Sequence, residues 1–308
     1  MEKEFVVESL KTRLDKYLAQ QLPQISRSRI QRDIEGGQVL VNGEPVLLSK
    51  FVVRKGDVIK YNLPVLKSEI LKPTKTALKI LYNNHGLLII DKPAGLVVHP
   101  GAGFKGETLA SALLYQFKNI HLVGEEHRPG IVHRLDKDTS GVILVATSQE
   151  MYEHLKDAFG ERKVKKEYIA LVAGKIEKPH EFIETPIGKS KTDFRKQTTK
   201  NPIEAKEALT EYKVLEHLDG CTLILVKLHT GRTHQIRVHL SSVGHPLMGD
   251  SLYGGKKSEL EGLSRQFLHA KKIEVQLPNK TWIEAESDFP KDLKEVLIKL
   301  GSKVVNKL

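Results

Sequence analysis

The chain has 308 residues, and its 49 Lys and Arg outnumber 38 Asp and Glu to give a formal net charge of +11. That length predicts about two domains, and the basic excess points to a polyanionic partner, nucleic acid first. The single cysteine, Cys221, excludes a disulfide framework or a cysteine zinc site; no apolar run reaches membrane-spanning length, and the charged start Met1-Glu2-Lys3-Glu4 does not read as a signal peptide, so a cytoplasmic location is expected.

Thr12-Arg13-Leu14-Asp15 has the form of a capping box and predicts a helix with Leu14, Leu18 and Leu22 on one face, ended by Pro23. Ser26 is placed to cap a second helix from Arg27 to Glu35, stopped by Gly36-Gly37, with Ile30 and Ile34 inward and Arg27, Ser28, Gln31 and Arg32 largely outward. Val39-Leu40-Val41, Asn42-Gly43 and Val46-Leu47-Leu48 read as a hairpin, and Lys55-Gly56-Asp57 as a turn before Val58 to Tyr61. A helix with arginines on its exposed face, backed by a small sheet, is a compact phosphate-binding unit. This order of elements resembles the alpha-L RNA-binding module. The resemblance implies an RNA-binding domain over residues 1–62, with Arg27, Ser28, Arg29, Gln31 and Arg32 as RNA contacts. The competing reading is a small α+β domain with an ordinary solvated basic face.

Residues 63–76 contain two prolines, show no periodicity, and read as a linker. Leu78 to Tyr82 and Leu87 to Ile90 are predicted strands around Asn83-Asn84-His85-Gly86, followed by a loop over Asp91 to Gly95 and a short strand, Leu96 to Val98. Residues 101–106 fit G-x-G-x-x-G before a predicted helix, Thr108 to Phe117. No acidic residue closes a second strand about 20 residues on, as a dinucleotide unit requires. Glu107 stands where a phosphate-binding lysine would be needed, so a flexible glycine loop is the better reading.

His133-Arg134-Leu135-Asp136-Lys137-Asp138-Thr139-Ser140-Gly141 lies between Ile131-Val132 and the β-branched run Val142 to Ala146. Thr139-Ser140-Gly141 is turn chemistry, so Asp136 is expected on a rigid support at a strand edge. A helix from Gln149 to Phe159 follows, with Tyr152, Leu155 and Phe159 as its apolar stripe. In the next predicted strand Tyr168, Ala170 and Val172 share one face, and Ile169 and Leu171 the other. Residues 188–206 are polar and lysine-rich and read as mobile. Leu223 to Leu228 reads as a strand running into Thr230 to Leu240, where a helix begins with Ile236 and Leu240 buried. Gly244 to Asp250 reads as a structured loop, Ile273 to Leu277 as a strand, and Lys291 to Leu300 as an amphipathic helix.

The histidines at 229, 234 and 239 are spaced five apart, which does not align ligands on a helix face, so no metal site is predicted. There is no Gly-x-Ser-x-Gly elbow and no plausible nucleophilic cysteine. What remains is the carboxylate Asp136, a candidate partner Arg237 and a tyrosine, Tyr168. A carboxylate nucleophile in a closed site must be ionised, and a permanently charged guanidinium favours that form.

Asp91 to Gly95, Arg128 to Val132, the 133–141 segment, Lys166 to Val172, Thr230 to Leu240, Gly244 to Asp250, Leu252-Tyr253-Gly254 and Leu268-His269-Ala270 together resemble pseudouridine synthases of the RluA/RluD type. The leading RNA-binding module fits the RluD-like branch, which acts on large-subunit ribosomal RNA. The resemblance implies an α+β fold, with a catalytic domain over 77–308 built on a mixed, mostly antiparallel sheet flanked by helices. It implies an isomerase that needs no cofactor or metal and acts as a monomer on ribosomal RNA, free or in a pre-ribosomal large subunit. Asp136 matches the catalytic aspartate, Arg237 its arginine partner, and Tyr168 a tyrosine that packs on the uracil and is a candidate base. Arg134 matches the residue that fills the gap left by a flipped nucleotide, while His133, Thr139 and Ser140 are expected to hold the loop. A non-catalytic ribosome-assembly factor and a nucleotide-dependent oxidoreductase are the alternatives.

Overall fold

The computed structural model describes residues 2–8, 11–22, 25, 27–62, 71–101, 104, 106–125, 127–254 and 259–308, without the side chains of Glu2, Ser28 and Arg29. The expected helix stop at Pro23, the cap at Ser26, the contacts by Ser28 and Arg29, residues 63–70 of the linker, and Ala102, Gly103 and Lys105 of the glycine loop lie outside it. Two compact units are present, residues 1–70 and 71–308. No helix among the described residues is long and apolar enough to cross a membrane.

The smaller unit runs β1 (Glu2–Val6), β2 (Lys11–Arg13), α1 (Leu14–Gln21), α2 (Arg27–Glu35), β3 (Val39–Val41), β4 (Glu44–Pro45), β5 (Val52–Arg54) and β6 (Val58–Asn62). Strands β1-β6-β3-β4 form one sheet and β2-β5 a ribbon. Leu14, Leu18, Leu22, Ile30 and Ile34 are buried against Val39, Val53 and Ile59, as their helical and strand spacing requires. The Asn42-Gly43 turn is formed with both residues at positive φ, as a type I′ hairpin needs. The capping box is not formed. Thr12 pairs with Val53 in the β2-β5 ribbon, Arg13 is the helix cap without a side-chain bond, and Asp15 turns into the core.

The larger unit contains β7 (Lys79–Asn84), β8 (Leu87–Lys92), α3 (Leu109–Gln116), β9 (Gly124–Glu125), β10 (Arg128–Pro129), β11 (Ser140–Ala146), α4 (Gln149–Gly160), β12 (Lys165–Ala173), β13 (His180–Glu184), β14 (Ile187–Lys189), β15 (Gln197–Thr198), β16 (Ile203–Lys206), β17 (Leu209–Leu218), β18 (Cys221–Leu228), α5 (Gln235–Ser242), β19 (Leu268–Gln276), β20 (Trp282–Glu286) and α6 (Lys291–Lys299). The central sheet has the order β13-β17-β18-β12-β19-β11-β8-β7, with β20 also on β19. All its pairings are antiparallel except β11 with β19. It is the mixed, mostly antiparallel sheet expected. Its centre is buried on both faces. Tyr168, Ala170 and Val172 enter the core shared with α3, α4 and α5, and Ile169, Leu171 and Ala173 the core under α6.

Several expectations change on contact with tertiary structure. Residues 71–76, expected in the linker, belong to the larger unit: Leu71 packs on its core and Thr74 bonds Ser111 through backbone and hydroxyl. Asp91 and Lys92 finish β8 rather than opening a loop, and Leu96 to Val98 makes only a single bridge, Val97 to Thr108. Thr108 caps α3 by accepting the Ser111 N–H, which leaves that donor no role in holding a dinucleotide. The lysine-rich stretch 188–206 is not a mobile segment: β14, β15 and β16 form a small sheet.

Candidate active site

Asp136 stands on the turn before β11, where the Thr139 N–H donates to the Asp136 carbonyl. The turn is fixed from below. Lys92 is wholly buried and its Nζ donates to the carbonyls of Pro93, Leu96 and Lys137 at 2.8, 2.9 and 2.9 Å. Burial pushes that amine down to about 7, against the pull of Asp138 and Asp136. Arg265 donates to the Asp138 carbonyl at 3.0 Å while Asp292 holds its other nitrogens. Gly141 has φ +115°, and a Cβ there would lie 2.1 Å from the Ala270 carbonyl oxygen, so the close start of the β11-β19 pairing requires glycine.

His133, Thr139 and Ser140 each have a side-chain partner here. His133 accepts the Leu144 N–H at Nε2 (2.8 Å), with its ring 4.6 Å from that of Phe159. Burial pushes this imidazole down to about 3, so it is a neutral acceptor. Thr139 accepts from the Gln266 amide at 3.3 Å, and Ser140 is 3.0 Å from His269 Nδ1.

Arg237 comes from α5, whose whole first turn is buried. Its neighbour Gln235 locks the helix entry, donating to the Leu209 carbonyl and Thr210 hydroxyl and accepting from Thr230 and the Arg232 N–H. Arg237 Nη1 reaches Asp136 Oδ2 at 3.0 Å, and the two side chains are 9% and 17% exposed. Its Nε and Nη2 clasp Asp250, which is wholly buried, at 2.7 and 2.9 Å. Burial opposes the guanidinium's charge, but Asp250 and Asp136 outweigh it and hold its proton affinity above the usual arginine range. Asp250 is set by Gly249, whose φ of +73° and 2.1 Å virtual Cβ contact with the Arg265 carbonyl exclude a side chain.

Tyr168 lies across the pocket from α5. A β-bulge at Glu167/Tyr168 interrupts the β12-β19 register at that residue, the usual device for re-aiming a strand side chain. Burial, and then the charge of Asp136, push its phenol above the ordinary tyrosine value, so it is a neutral hydroxyl. Its hydroxyl makes no hydrogen bond among the described residues.

Asp136, Tyr168, Arg237 and Arg134 thus line one pocket, together with His234 and Arg232. The pocket opens into a groove of about 450 Å³ carrying Arg128, Arg162, Lys166 and His229, within the roughly 300–1,000 Å³ usual for small-ligand sites. Lys166 stands over Phe159 at 5.6 Å, and burial brings its amine down to about 8. Arg134 is exposed, 3.3 Å from His99 Nε2. Sequence reasoning placed Asp250 in a structured loop without a task and gave His234 and Tyr253 none. The sequence carried no signal for Asp250's task, because its burial and the positive φ of Gly249 appear only in the structure.

In the smaller unit, Arg27 and Gln31 do not simply face solvent. Both donate to Asp15 Oδ2, at 2.8 and 2.6 Å, beside Arg13. Burial alone would raise the Asp15 carboxyl, but its hydrogen bonds to Arg13, Gln31 and Arg27 bring it down to about 2. Arg32 is exposed on the same helix.

Residues 86–242 match the RNA pseudouridylate synthase family, and residues 12–59 match the S4 domain. An RNA pseudouridine synthase of Aquifex aeolicus is 43% identical over 259 residues, 83% of this chain and 81% of that protein. The ribosomal large subunit pseudouridine synthase D of Yersinia pestis is 37% identical over 297 residues, covering 92% and 90%. Among solved structures, human RNA pseudouridylate synthase domain containing 1 aligns with a TM-score of 0.58 at 30% identity, covering 70% of this chain and 85% of that one.

Proposed function

The chain belongs to the RNA pseudouridylate synthase family, as an isomerase with an N-terminal S4 domain, and we propose that its substrates are uridines of large-subunit ribosomal RNA and its catalytic carboxylate is Asp136. The observation that carries the site assignment is the Asp136–Arg237 pair at 3.0 Å in the wall of a pocket faced by Tyr168. The ribosomal assignment rests on resemblance to synthases named for the large subunit, together with the S4 domain and the +11 net charge.

Pseudouridine formation breaks the N1–C1′ bond and makes a C5–C1′ bond; C5 loses a hydrogen and N1 gains one, so atoms and charge balance without an added reactant. Chemistry on a base within a stack requires flipping, at roughly a few kcal/mol. Arg134, exposed at the pocket mouth, takes the vacated position and stays near phosphate. Tyr168 packs on the uracil, and its hydroxyl enters the reaction protonated. Arg237 holds Asp136 in one orientation, with its own position set by Asp250. The groove cations Arg162 and Lys166, with the S4 domain, supply phosphate contacts that carry affinity but no sequence information. The enzyme acts in the cytoplasm as a monomer, on free RNA or a pre-ribosomal large subunit.

Mapping pseudouridines in ribosomal RNA from cells with and without the gene tests this reading. Loss of one or more large-subunit sites, restored by the wild-type gene, is the expected result. An unchanged large-subunit map with losses confined to other RNAs would replace the substrate assignment.

A further inference from the structure

His234 sits in the pocket wall with its side chain 19% exposed and a left-handed backbone, φ 55° and ψ 20°, at the cap of α5. That conformation is uncommon outside glycine and concentrates at functional sites. Its Nδ1 lies 2.9 Å from the Tyr253 hydroxyl. The same hydroxyl oxygen accepts the Gln197 backbone N–H at 2.8 Å. For its own proton, Tyr253 has one acceptor among the described residues, His234 Nδ1. Burial pushes the Tyr253 phenol up to about 12, so that proton is retained at working pH. A neutral imidazole that accepts at Nδ1 carries its hydrogen on Nε2. Burial lowers the His234 imidazole below the usual range, with Asp136 and Asp250 opposing and Arg237 and Arg134 reinforcing the shift. The Nε2 is 3.8 Å from Asp136 Oδ1, too far for a hydrogen bond. A donor of fixed direction therefore faces the pocket beside the carboxylate, with no hydrogen-bond acceptor among the described residues.

We propose that His234 is a further catalytic residue: its Nε2–H, held in that tautomer by Tyr253, donates to an acceptor oxygen of the target nucleotide lying against Asp136. The inference rests on the pseudouridine-synthase site assigned above. It also gives the 188–206 stretch a task, because β15 supplies the Gln197 N–H that anchors Tyr253. The acceptor is a uracil carbonyl or a ribose hydroxyl, and both present the same chemistry to Nε2–H.

The test is single-turnover pseudouridine formation at saturating enzyme, together with ¹⁵N imidazole spectra of the full-length protein. His234→Leu removes the donor and is expected to lose about 100-fold in rate, typical for a lost transition-state donor, with RNA affinity unchanged. His234→Gln, whose amide can place an N–H near the same point, should recover most of that loss. Tyr253→Phe should lose less rate than His234→Leu, because a neutral histidine keeps its Nε2–H in part of the population while its orienting contact is gone. The His234 resonances, identified by their absence in His234→Gln, should report Nε2–H in the wild type and a mixture in Tyr253→Phe. RNA carrying 2-thiouridine, 4-thiouridine or 2′-deoxyuridine at the target separates the acceptors: the one that slows the wild type but not His234→Leu marks the oxygen. A wild-type Nδ1–H tautomer, or a His234→Leu rate near wild type, overturns the proposal. The tautomer is read on the wild-type protein itself, with His234→Gln used only to assign the resonances. An inactive Asp136→Asn beside an active His234→Leu would remove His234 alone, whereas a wild-type protein with no activity on ribosomal RNA would remove the substrate assignment and leave the tautomer result standing.

Discussion

Arg237 gives Nε and Nη2 to Asp250 and reaches Asp136 with Nη1 alone. The Asp136 carboxylate is thus oriented by a guanidinium that a second, wholly buried carboxylate has already fixed. This uses the planar fork of arginine, since one ammonium cannot present three parallel and divergent donors to two acids.

Arg237→Lys is therefore expected to restore charge without restoring rate, falling close to Arg237→Met in single-turnover assays. Both should also destabilise the protein, because Asp250 would stay buried without its two-pronged partner. Breaking a buried pair costs about 3–5 kcal/mol, readable in denaturant midpoints. Near wild-type rate and stability for the lysine variant would show that the fork is not needed.

Tyr168 presents a hydroxyl to the pocket with no hydrogen-bond partner among the described residues, so it is available to substrate. Tyr168→Phe retains the ring that we propose packs on the base. A rate loss of about 100-fold or more with unchanged RNA affinity is expected if the hydroxyl exchanges a proton or hydrogen bond in the reaction. An unchanged rate would confine Tyr168 to packing.

Asp15 makes the smaller unit sensitive to acid. Its carboxyl is brought from the ordinary 3.8 to about 2 in the folded state, a difference of about 2 kcal/mol. Because the folded value is the lower one, that stability is present above about pH 4 and is lost as pH falls towards 2. Amide protection factors at Ile30, Ile34 and Val41 in the full-length protein, corrected for the intrinsic exchange rate at each pH and followed from about pH 5 to 2.5, should fall in wild type. In Asp15→Asn they should be low throughout.

Deleting residues 1–70 removes the unit carrying the S4 domain and leaves a unit with its own cores. RNA affinity should fall and its dependence on salt should flatten, since each lost phosphate contact releases one fewer counterion. An unchanged affinity and slope would take RNA binding away from this unit.

What the sequence made legible was set by local periodicity. The alternation across Tyr168 to Val172 placed both faces of β12 correctly, and Leu14, Leu18 and Leu22 marked the buried side of α1. The central sheet, with helices around it, followed from such patterns and the family's motifs. What stayed hidden depends on pairs distant in sequence. Thr12 and Asp15 have the spacing of a capping box, yet the β2-β5 ribbon takes Thr12 and Arg27 and Gln31 draw Asp15 inward. Residues 188–206 look unstructured because each of their strands is too short to show a period, and they are ordered by pairing and by Gln197 meeting Tyr253. The meeting of Asp136 and Arg237, 101 residues apart, was available only through the motif resemblance, and Asp250's hold on Arg237 not at all.

The most direct measurement is pseudouridine formation by Asp136→Asn on large-subunit ribosomal RNA, in single turnover with enzyme in excess. Asparagine keeps the shape and can still meet Arg237 Nη1, but it cannot act as a carboxylate. The account predicts RNA binding within about twofold of wild type, since a neutralised acid adds little to the counterion balance, and no product above a no-enzyme control. Product at a rate approaching wild type, from protein free of contaminating synthase, would contradict it.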